Sequence, residues 1–273
     1  RFSGRPIPAL QSIDRIGCVV YMNTFSQTIS PSMRVGFMVL PPRLLERYHR
    51  IVCVSRAAWE HFRDISGLTD GVELHYNPID SDSVRAKAEV PVELPEDVPL
   101  ICAVGRLSAE KGFERLIVIH KRLLEEGIRH KLVIVGDGPD RDFLRRLVNA
   151  TETQDSVILA GYQSNPYPYM KQSKFLVSSS FTEGLPVISM EALCLGIPMV
   201  SAVPSIGETF GEEMCGIITE NDNRSLEAGI RKMLTDEAFY AEAKAGAVRR
   251  SSFFDGARMV REVEEMLLQL AAE

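Results

Sequence analysis

Two carboxylates in the second half of the chain are the residues with the clearest chemical potential. Glu183 and Glu191 stand eight positions apart in SSSFTEGLPVISME, where Pro186 fits the first turn of a helix that carries Glu191. Eight helical steps would separate them by about 12 Å, whereas a glycosidase pair needs roughly 5 to 10 Å across one bond. We therefore expect them to hold two ends of a long ligand. The alternative is a loop glutamate and a helix glutamate on a solvated face, although Glu191 has apolar neighbours.

Two cations occupy a turn about eighty residues earlier, in VGRLSAEKGFERL. Gly105 ends an apolar strand, Arg106 and Lys111 lie in the turn, and Gly112 precedes an amphipathic helix. A guanidinium fork, an ammonium and free backbone amides at a helix N-terminus suit a diphosphate. A solvated turn whose cations pair with neighbouring glutamates explains this segment equally well.

A glycine-rich turn follows the next apolar run, in VGDGPDRDFL. Gly136 and Gly138 surround an aspartate in a tight turn, and Asp140 can cap the following helix. A structural role is the favoured interpretation of this segment. The two glycines would also let the backbone approach a ligand closely.

Short apolar runs alternate with helical patterns from about Leu100 onward, which predicts an α/β fold with a doubly wound parallel sheet. At the carboxyl ends of such strands, loops and helix N-termini converge on ligands. The predicted strands are Leu100–Gly105, Lys131–Gly136, Ser156–Gly161, Lys174–Ser180, Pro198–Ala202 and Gly216–Thr219.

The pattern predicts four regions along the chain. Residues 1–80 are a partial N-terminal domain, because so few residues cannot form a complete domain of typical size. Residues 81–99 contain the Pro-rich, acidic stretch VPVELPEDVPL and are the expected linker or hinge. Residues 100–252 form the ligand-binding domain. Residues 253–273 form a C-terminal helix with one apolar face, which we interpret as a packing face rather than a membrane-docking one.

Composition excludes some classes of function. The formal net charge of −6 argues against sequence-independent binding to nucleic acid. The five dispersed cysteines have neither metal-ligand spacing nor a CxxC pair, and most lie in apolar runs typical of buried thiols in a reducing compartment. No run approaches the roughly 20 apolar residues of a membrane span.

Taken together, these segments resemble glycosyltransferase family 4, whose members are retaining enzymes of the two-domain GT-B fold. The resemblance rests on VGRL with Lys111-Gly112, then VGDGP, then EGLPVISME followed by ALCLGIPMV. The upstream pieces IVCVSRA and NPID are similar to the end of that family's N-terminal domain. The resemblance implies a Rossmann-like C-terminal domain and an incomplete Rossmann-like N-terminal domain.

The resemblance also implies roles for individual residues. Arg106 and Lys111 would bind the donor diphosphate and stabilise charge on the leaving group. Glu183 would hold hydroxyls of the transferred sugar and would be the third catalytic residue, beside these two cations. Glu191 would bind the ribose. Tyr162 and Gln163 would lie near the base. The other implied donor-binding residues are Gly105, Gly136, Gly138, Gly184, Leu185, Pro186 and Val187.

The implied reaction moves a sugar from a UDP-sugar or GDP-sugar to a hydroxyl of a saccharide or lipid-linked acceptor, in polysaccharide or glycoconjugate assembly. No metal or other cofactor is expected. The setting would be cytoplasmic, with room for peripheral contact at the inner face of the membrane. Two alternatives stay open: a nucleotide-sugar binding domain without catalysis, and a sugar-nucleotide epimerase of the same fold. A nicotinamide-dependent dehydrogenase is disfavoured, because no GxGxxG follows the first strand.

Overall fold

The computed structural model describes residues 19–22 and 50–272. The chain divides into two compact units. The first contains the residues up to Pro78 together with those from Gly256 onward, and the second is Ile79–Asp255. The predicted boundary near residue 80 lies close to this division. Cys18 and most of the region 1–49 lie outside the described residues.

The first unit contains a parallel sheet with strands in the order β1-β2-β3. Helix α1 connects β2 to β3, begins where the Ser55 side chain accepts a hydrogen bond from Ala58 N, and ends at the left-handed Gly67. A parallel sheet with a crossover helix is the predicted Rossmann-like arrangement. The elements are β1 (Val19–Met22), β2 (Arg50–Cys53), α1 (Arg56–Ser66), β3 (Val72–Leu74) and, at the end of the chain, α10 (Gly256–Ala272).

The second unit is built on a six-stranded parallel sheet in the order β6-β5-β4-β7-β8-β9. All six predicted strands are present, each shortened by one to three residues. The prediction of a doubly wound parallel sheet is therefore confirmed. The strands are β4 (Leu100–Val104), β5 (Lys131–Val135), β6 (Val157–Gly161), β7 (Phe175–Ser178), β8 (Met199–Ser201) and β9 (Gly216–Ile218).

Helices and strands of this unit share one apolar core. Residues of the central strands, such as Ile101, Leu132 and Phe175, are completely buried, as expected for a sheet covered on both faces. The helices are α2 (Ser81–Ala88), α3 (Phe113–Glu125), α4 (Arg141–Ala150), α5 (Tyr167–Lys171), α6 (Val187–Cys194), α7 (Ile206–Phe210), α8 (Asn223–Thr235) and α9 (Glu237–Arg250), with 3₁₀ turns at Ala109–Lys111 and Ser251–Phe253.

The segment expected to be a linker is partly helical. Residues 81–88 form α2 and belong to the second unit. Asp80 caps this helix by accepting a hydrogen bond from Ser83 N at 2.9 Å. Only Ser81, Val84 and Ala88 are buried, so the segment has too few apolar residues to show a helical pattern in the sequence.

The burial predicted for the cysteines was confirmed for the four that are described, whereas the start predicted for the final helix was wrong by three residues. Cys53, Cys102, Cys194 and Cys215 are buried, as expected, and burial raises the pKa of each thiol. The final helix begins at residue 256 rather than 253, groups with the first unit, and buries several residues of its apolar face. Within the described residues, no helix combines the length and the apolar character needed to cross a membrane.

Candidate functional site

Arg106, Lys111 and Glu183 lie in the loops that follow β4 and β7, where the strand order of the second unit reverses. From β4 the chain runs outward through β5 and β6, and then returns to β7 on the other side of β4. Loops that leave two such strands diverge from one another and open a crevice for ligands. We call residues 105–112, after β4, the cation loop. Residues 179–186, after β7, are the acid loop.

The backbones of the two loops are fastened together. Phe181 N donates to the Glu110 carbonyl at 2.8 Å, and the Ser179 hydroxyl donates to the Lys111 carbonyl at 2.9 Å. Gly112 ends the cation loop with a left-handed φ of 62°, and a Cβ on it would stand 2.3 Å from the Ser179 carbonyl oxygen. Only glycine satisfies both the backbone conformation and the close approach at this position.

Lys111 and Glu183 meet across this junction. The Lys111 ammonium forms a short ion pair with Glu183 Oε1, and the Ser180 hydroxyl donates to the same oxygen at 2.8 Å. The side chains are 25% and 17% exposed respectively, so a ligand can reach both. The structure thus brings together a cation and a carboxylate that lie 72 residues apart in the chain.

Arg106 lies on the exposed side of the cation loop. A hydrogen bond from the Ser108 hydroxyl at 2.5 Å is the main cause that keeps the pKa of the neighbouring Glu110 below its usual value, and the charges of Lys111 and Arg106 contribute to it. The loop therefore combines an exposed guanidinium, an ammonium paired at its inner end and one ionised carboxylate.

Gly136 and Gly138 support the cation loop from the neighbouring strand. A Cβ on Gly136 would stand 1.8 Å from the Gly105 carbonyl oxygen, and one on Gly138 would stand 2.4 Å from that of Leu107. The close approach that these glycines allow is thus to the backbone of the cation loop. Asp140 occupies the N-cap position of α4 as predicted, but its side chain makes no capping hydrogen bond.

Glu191 lies on α6 in a partly buried setting rather than on a solvated face. The Tyr167 hydroxyl donates to Glu191 Oε1 at 2.8 Å. Burial raises the pKa of Glu191, while the hydrogen bond from Tyr167 and the charge of Lys87 oppose that increase. The carboxylate therefore has one oxygen held by Tyr167.

The segment between the two glutamates is not one continuous helix. Pro186 is extended at the N-cap (φ −66°, ψ 120°) and α6 begins at Val187, so the 12 Å helical separation does not apply. Gly184 is partly buried, Leu185 and Pro186 are buried, and Val187 is 45% exposed at the start of the helix.

The two residues expected near a base leave the end of β6. The Tyr162 side chain is 74% exposed, whereas the Gln163 side chain folds back and donates to the Ala160 carbonyl at 2.9 Å. Among the hydrogen bonds of the described residues, none joins Tyr162 or Gln163 to Lys111 or Glu183.

Sequence reasoning missed three residues that shape this site: Tyr167, Arg115 and Asn221. Tyr167 fixes Glu191, while Arg115 and Asn221 bind the backbone of the acid loop. Arg115 lies within an apolar helical pattern and Asn221 within a polar loop, so neither shows a distinguishing spacing. Across residues 19–22 and 50–272, no three His, Cys, Asp or Glu side chains are grouped as metal ligands would be.

The second unit also matches a known family. Residues 84–250, more than half of the chain, fit the family model described as glycosyl transferases group 1. The chain belongs to this family. The match covers both loops of the candidate site.

A bacterial relative of this glycosyltransferase-family chain has a defined reaction in its name. The N-acetylgalactosamine-N,N'-diacetylbacillosaminyl-diphospho-undecaprenol 4-alpha-N-acetylgalactosaminyltransferase of Campylobacter jejuni is 32% identical over 199 residues. The match covers 72% of this chain and 53% of the relative. The chain thus spans about half the length of that enzyme.

Two further comparisons concern the fold and one short stretch of the chain. Anabaena HepE in complex with UDP has a TM-score of 0.76 at 18% identity, over 95% of this chain and 74% of that one. This likeness confirms the GT-B type fold. A short stretch has a relative of another kind, the probable rhizopine catabolism regulatory protein MocR of Rhizobium meliloti, which is 52% identical over 52 residues, or 19% of this chain and 10% of the regulator.

Proposed function

We propose that this chain carries the donor site of a retaining glycosyltransferase of family 4, which transfers a sugar from a nucleoside-diphosphate sugar to an acceptor hydroxyl. The observation that carries the proposal is the meeting of Lys111 and Glu183 at the point where the strand order reverses. There a cation suited to a diphosphate stands beside a carboxylate suited to sugar hydroxyls. One ligand that contains both groups would satisfy both side chains.

The proposed roles follow the order of groups along the donor. Arg106 and Lys111 bind the diphosphate, and Glu183, with the backbone amides of Gly184 and Leu185, binds the sugar. Glu191 accepts hydrogen bonds from the ribose hydroxyls. The segment around Tyr162 and Gln163 contacts the base.

Catalysis in this site is electrostatic. As the bond between the anomeric carbon and the diphosphate breaks, negative charge grows on the leaving oxygen. Once a bound diphosphate has taken the place of Glu183 as the partner of Lys111, both cations already face the leaving group, so little further reorganisation is needed when that charge appears. We propose that these two cations serve without a metal ion, and that the acceptor is a saccharide or lipid-linked saccharide, as in the relative from Campylobacter jejuni.

Calorimetric titration of the chain with UDP, GDP, ADP and NAD, with and without EDTA, tests the donor site. UDP is the first candidate, because a protein of the same fold binds it. We expect one nucleoside diphosphate to bind, EDTA to have no effect and NAD not to bind. Binding of NAD alone, or of none of the four, would contradict the proposal.

Two substitutions test the assignment of residues. Lys111→Ala should weaken nucleoside diphosphate binding by at least ~1 kcal/mol, or about fivefold, since it removes a charge-assisted contact. Glu191→Gln should weaken binding even when no sugar is attached. Lys121→Ala, which removes a lysine of α3 paired with Glu125, is the matched control. Parent-like affinity in both test variants would refute the assignment.

A further inference from the structure

Arg115 is a buried cation directly beneath the candidate site. It lies in the first turn of α3, is 4% exposed, and its Nε would stand 3.0 Å from a Cβ on Gly112. Its Nε donates to the Ser179 carbonyl at 2.8 Å, and its Nη2 donates to the Ser180 carbonyl at 2.9 Å. One guanidinium thus binds two consecutive carbonyls at the start of the acid loop.

Asn221, in the loop that connects β9 to α8, binds both Arg115 and the backbone of the acid loop. Arg115 Nη2 donates to Asn221 Oδ1 at 2.8 Å, and Asn221 Nδ2 donates to the Phe181 carbonyl at 2.8 Å. The Arg115 guanidinium also lies over the Phe181 ring, 4.1 Å from its centre. Three consecutive residues, 179 to 181, are therefore held by two side chains from other elements.

This arrangement is costly for a residue that serves packing alone. Among the ion pairs of the described residues none includes Arg115, and its Nη1 is buried without a hydrogen-bond partner. Burial accordingly lowers the pKa of the guanidinium. Apolar residues of similar volume usually stabilise a buried position as well as a charge does, or better. Its planar fork, in contrast, can bind several carbonyl oxygens at once, which no apolar side chain can do.

We propose that Arg115 is a positioning residue for Glu183. The link is Ser180, whose carbonyl is held by Arg115 and whose hydroxyl donates to Glu183 Oε1 at 2.8 Å. A shift of the backbone at Ser180 therefore moves the hydrogen-bond donor that orients the carboxylate. This inference rests on the proposed function, in which Glu183 binds the transferred sugar. Arg115 would then determine how strongly the sugar contributes to donor binding.

The experiment compares the affinity for UDP with that for UDP-glucose, UDP-galactose and their N-acetyl counterparts, or for the corresponding GDP-sugars if GDP binds. The measured quantity is the ratio of the affinity for the best nucleotide-sugar to that for the bare nucleotide. Arg115→Lys keeps the charge but loses the fork, and should lower this ratio about tenfold. Arg122→Gln, on the exposed side of the same helix, is the control and should leave the ratio unchanged.

A double-mutant cycle separates positioning from a purely structural role. If Arg115 acts through Glu183, Arg115→Lys should have no further effect on the ratio in a Glu183→Gln background. A lower melting temperature with an unchanged ratio, or an equal effect in both backgrounds, would overturn the inference. Asn221→Ala, at an exposed position, should lower the ratio about threefold. It replaces Arg115→Lys as the test variant if Arg115→Lys does not fold.

The two proposals fail in different ways. A parent chain that binds none of the nucleotides would overturn the proposed function and, with it, this inference. A parent that binds while both variants keep its ratio would overturn the role of Arg115 alone.

Discussion

The Lys111–Glu183 ion pair joins the two charges that the donor would separate. The ammonium is paired with Glu183, which accepts a second hydrogen bond from the Ser180 hydroxyl. A diphosphate bound as proposed would therefore compete with a carboxylate for the same cation. Glu183 would then oppose the binding of a bare nucleotide while favouring that of its sugar.

Replacing Glu183 should accordingly tighten the binding of bare nucleotide. Glu183→Gln frees Lys111 from a partly exposed ion pair of about 0.5–1 kcal/mol, which corresponds to an affinity about two- to fivefold higher. Calorimetric titration with the nucleoside diphosphate measures this change, and Glu125→Gln on α3 is the control. Weaker binding in Glu183→Gln would mean that Glu183 supports the diphosphate instead of competing with it.

Burial of Glu191 should make nucleotide binding sensitive to pH, and the hydrogen bond from Tyr167 should limit that sensitivity. Burial raises the pKa of Glu191 and the hydrogen bond from Tyr167 opposes the increase. If Glu191 binds the ribose hydroxyls as proposed, its ionised form is the better hydrogen-bond acceptor, so affinity should fall as the pH decreases through this raised pKa. Tyr167→Phe removes the opposing hydrogen bond, so its affinity should begin to fall at a higher pH.

Titrations of the parent and Tyr167→Phe at several pH values from 4.5, the ordinary pKa of a glutamate, up to neutral pH measure this shift. Tyr169→Phe, on the same short helix, controls for titration of the nucleotide itself. Identical pH profiles for Tyr167→Phe and Tyr169→Phe would show that Tyr167 does not set the charge of Glu191.

Sequence reasoning reached the residues with distinctive chemistry but not their partners. Lys111 and Glu183 stand out by type and by their place after strands, yet the contact between them joins residues 72 positions apart. Spacing along a chain carries no information on such a contact until the sheet order is known. Arg115 was missed for a related reason, because its acceptors are carbonyl oxygens, which every residue possesses.

At the scale of elements, strands were easier to predict than their arrangement. Each strand of the second sheet is mostly apolar, and burial of the central strands on both faces makes such runs visible in a sequence. Helix α2 has only three buried residues and was missed. The order β6-β5-β4-β7-β8-β9 depends on which side of β4 each strand joins, a choice made by packing rather than by local pattern.

The glycine that joins the two loops provides a test at this scale. Gly112→Ala combines a left-handed φ with a Cβ 2.3 Å from a carbonyl oxygen. It should lower the free energy of unfolding by about 2–4 kcal/mol, of which the backbone conformation accounts for about 1–2 kcal/mol and the steric clash for the rest. It should also weaken nucleotide binding. Chemical denaturation and calorimetric titration measure the two effects.

Gly127→Ala is the matched control for this substitution. Gly127 also has a left-handed φ, 82°, but a Cβ there would have no neighbour within 4 Å. It should lose only about 1–2 kcal/mol of stability and keep parent-like affinity. Equal losses in the two variants would show that the approach of Gly112 to the acid loop has no energetic importance.

At the scale of the whole molecule, a buried histidine pair should make stability depend on pH. His120 and His130 are 1% and 2% exposed, with His120 Nδ1 2.8 Å from His130 Nε2. His120 Nε2 lies 2.9 Å from the Ser156 hydroxyl. Burial lowers the pKa of both, that of His120 to about 3. The folded chain thus keeps both rings neutral at pH values where the unfolded chain would protonate them.

Stability should therefore be lost as the pH falls below about 6.5, the unfolded value. Between pH 7 and pH 5 the His120 contribution is about 2 kcal/mol. Urea denaturation followed by circular dichroism at the two pH values measures it. His120→Gln should be less stable at pH 7 but lose about 2 kcal/mol less than the parent on acidification. An equal loss in both proteins would exclude His120 as the cause.

The strand order also determines when, during folding, a site can exist. Strands β4, β5 and β6 make up one half of the second sheet and β7, β8 and β9 the other. Lys111 follows a strand of the first half, and Glu183 follows a strand of the second. Either half alone would carry one charge without the other, so nucleotide binding would report the joining of the halves. If the chain were cut in the connection between β6 and β7, a nucleotide could serve as the probe that the two fragments had reassembled.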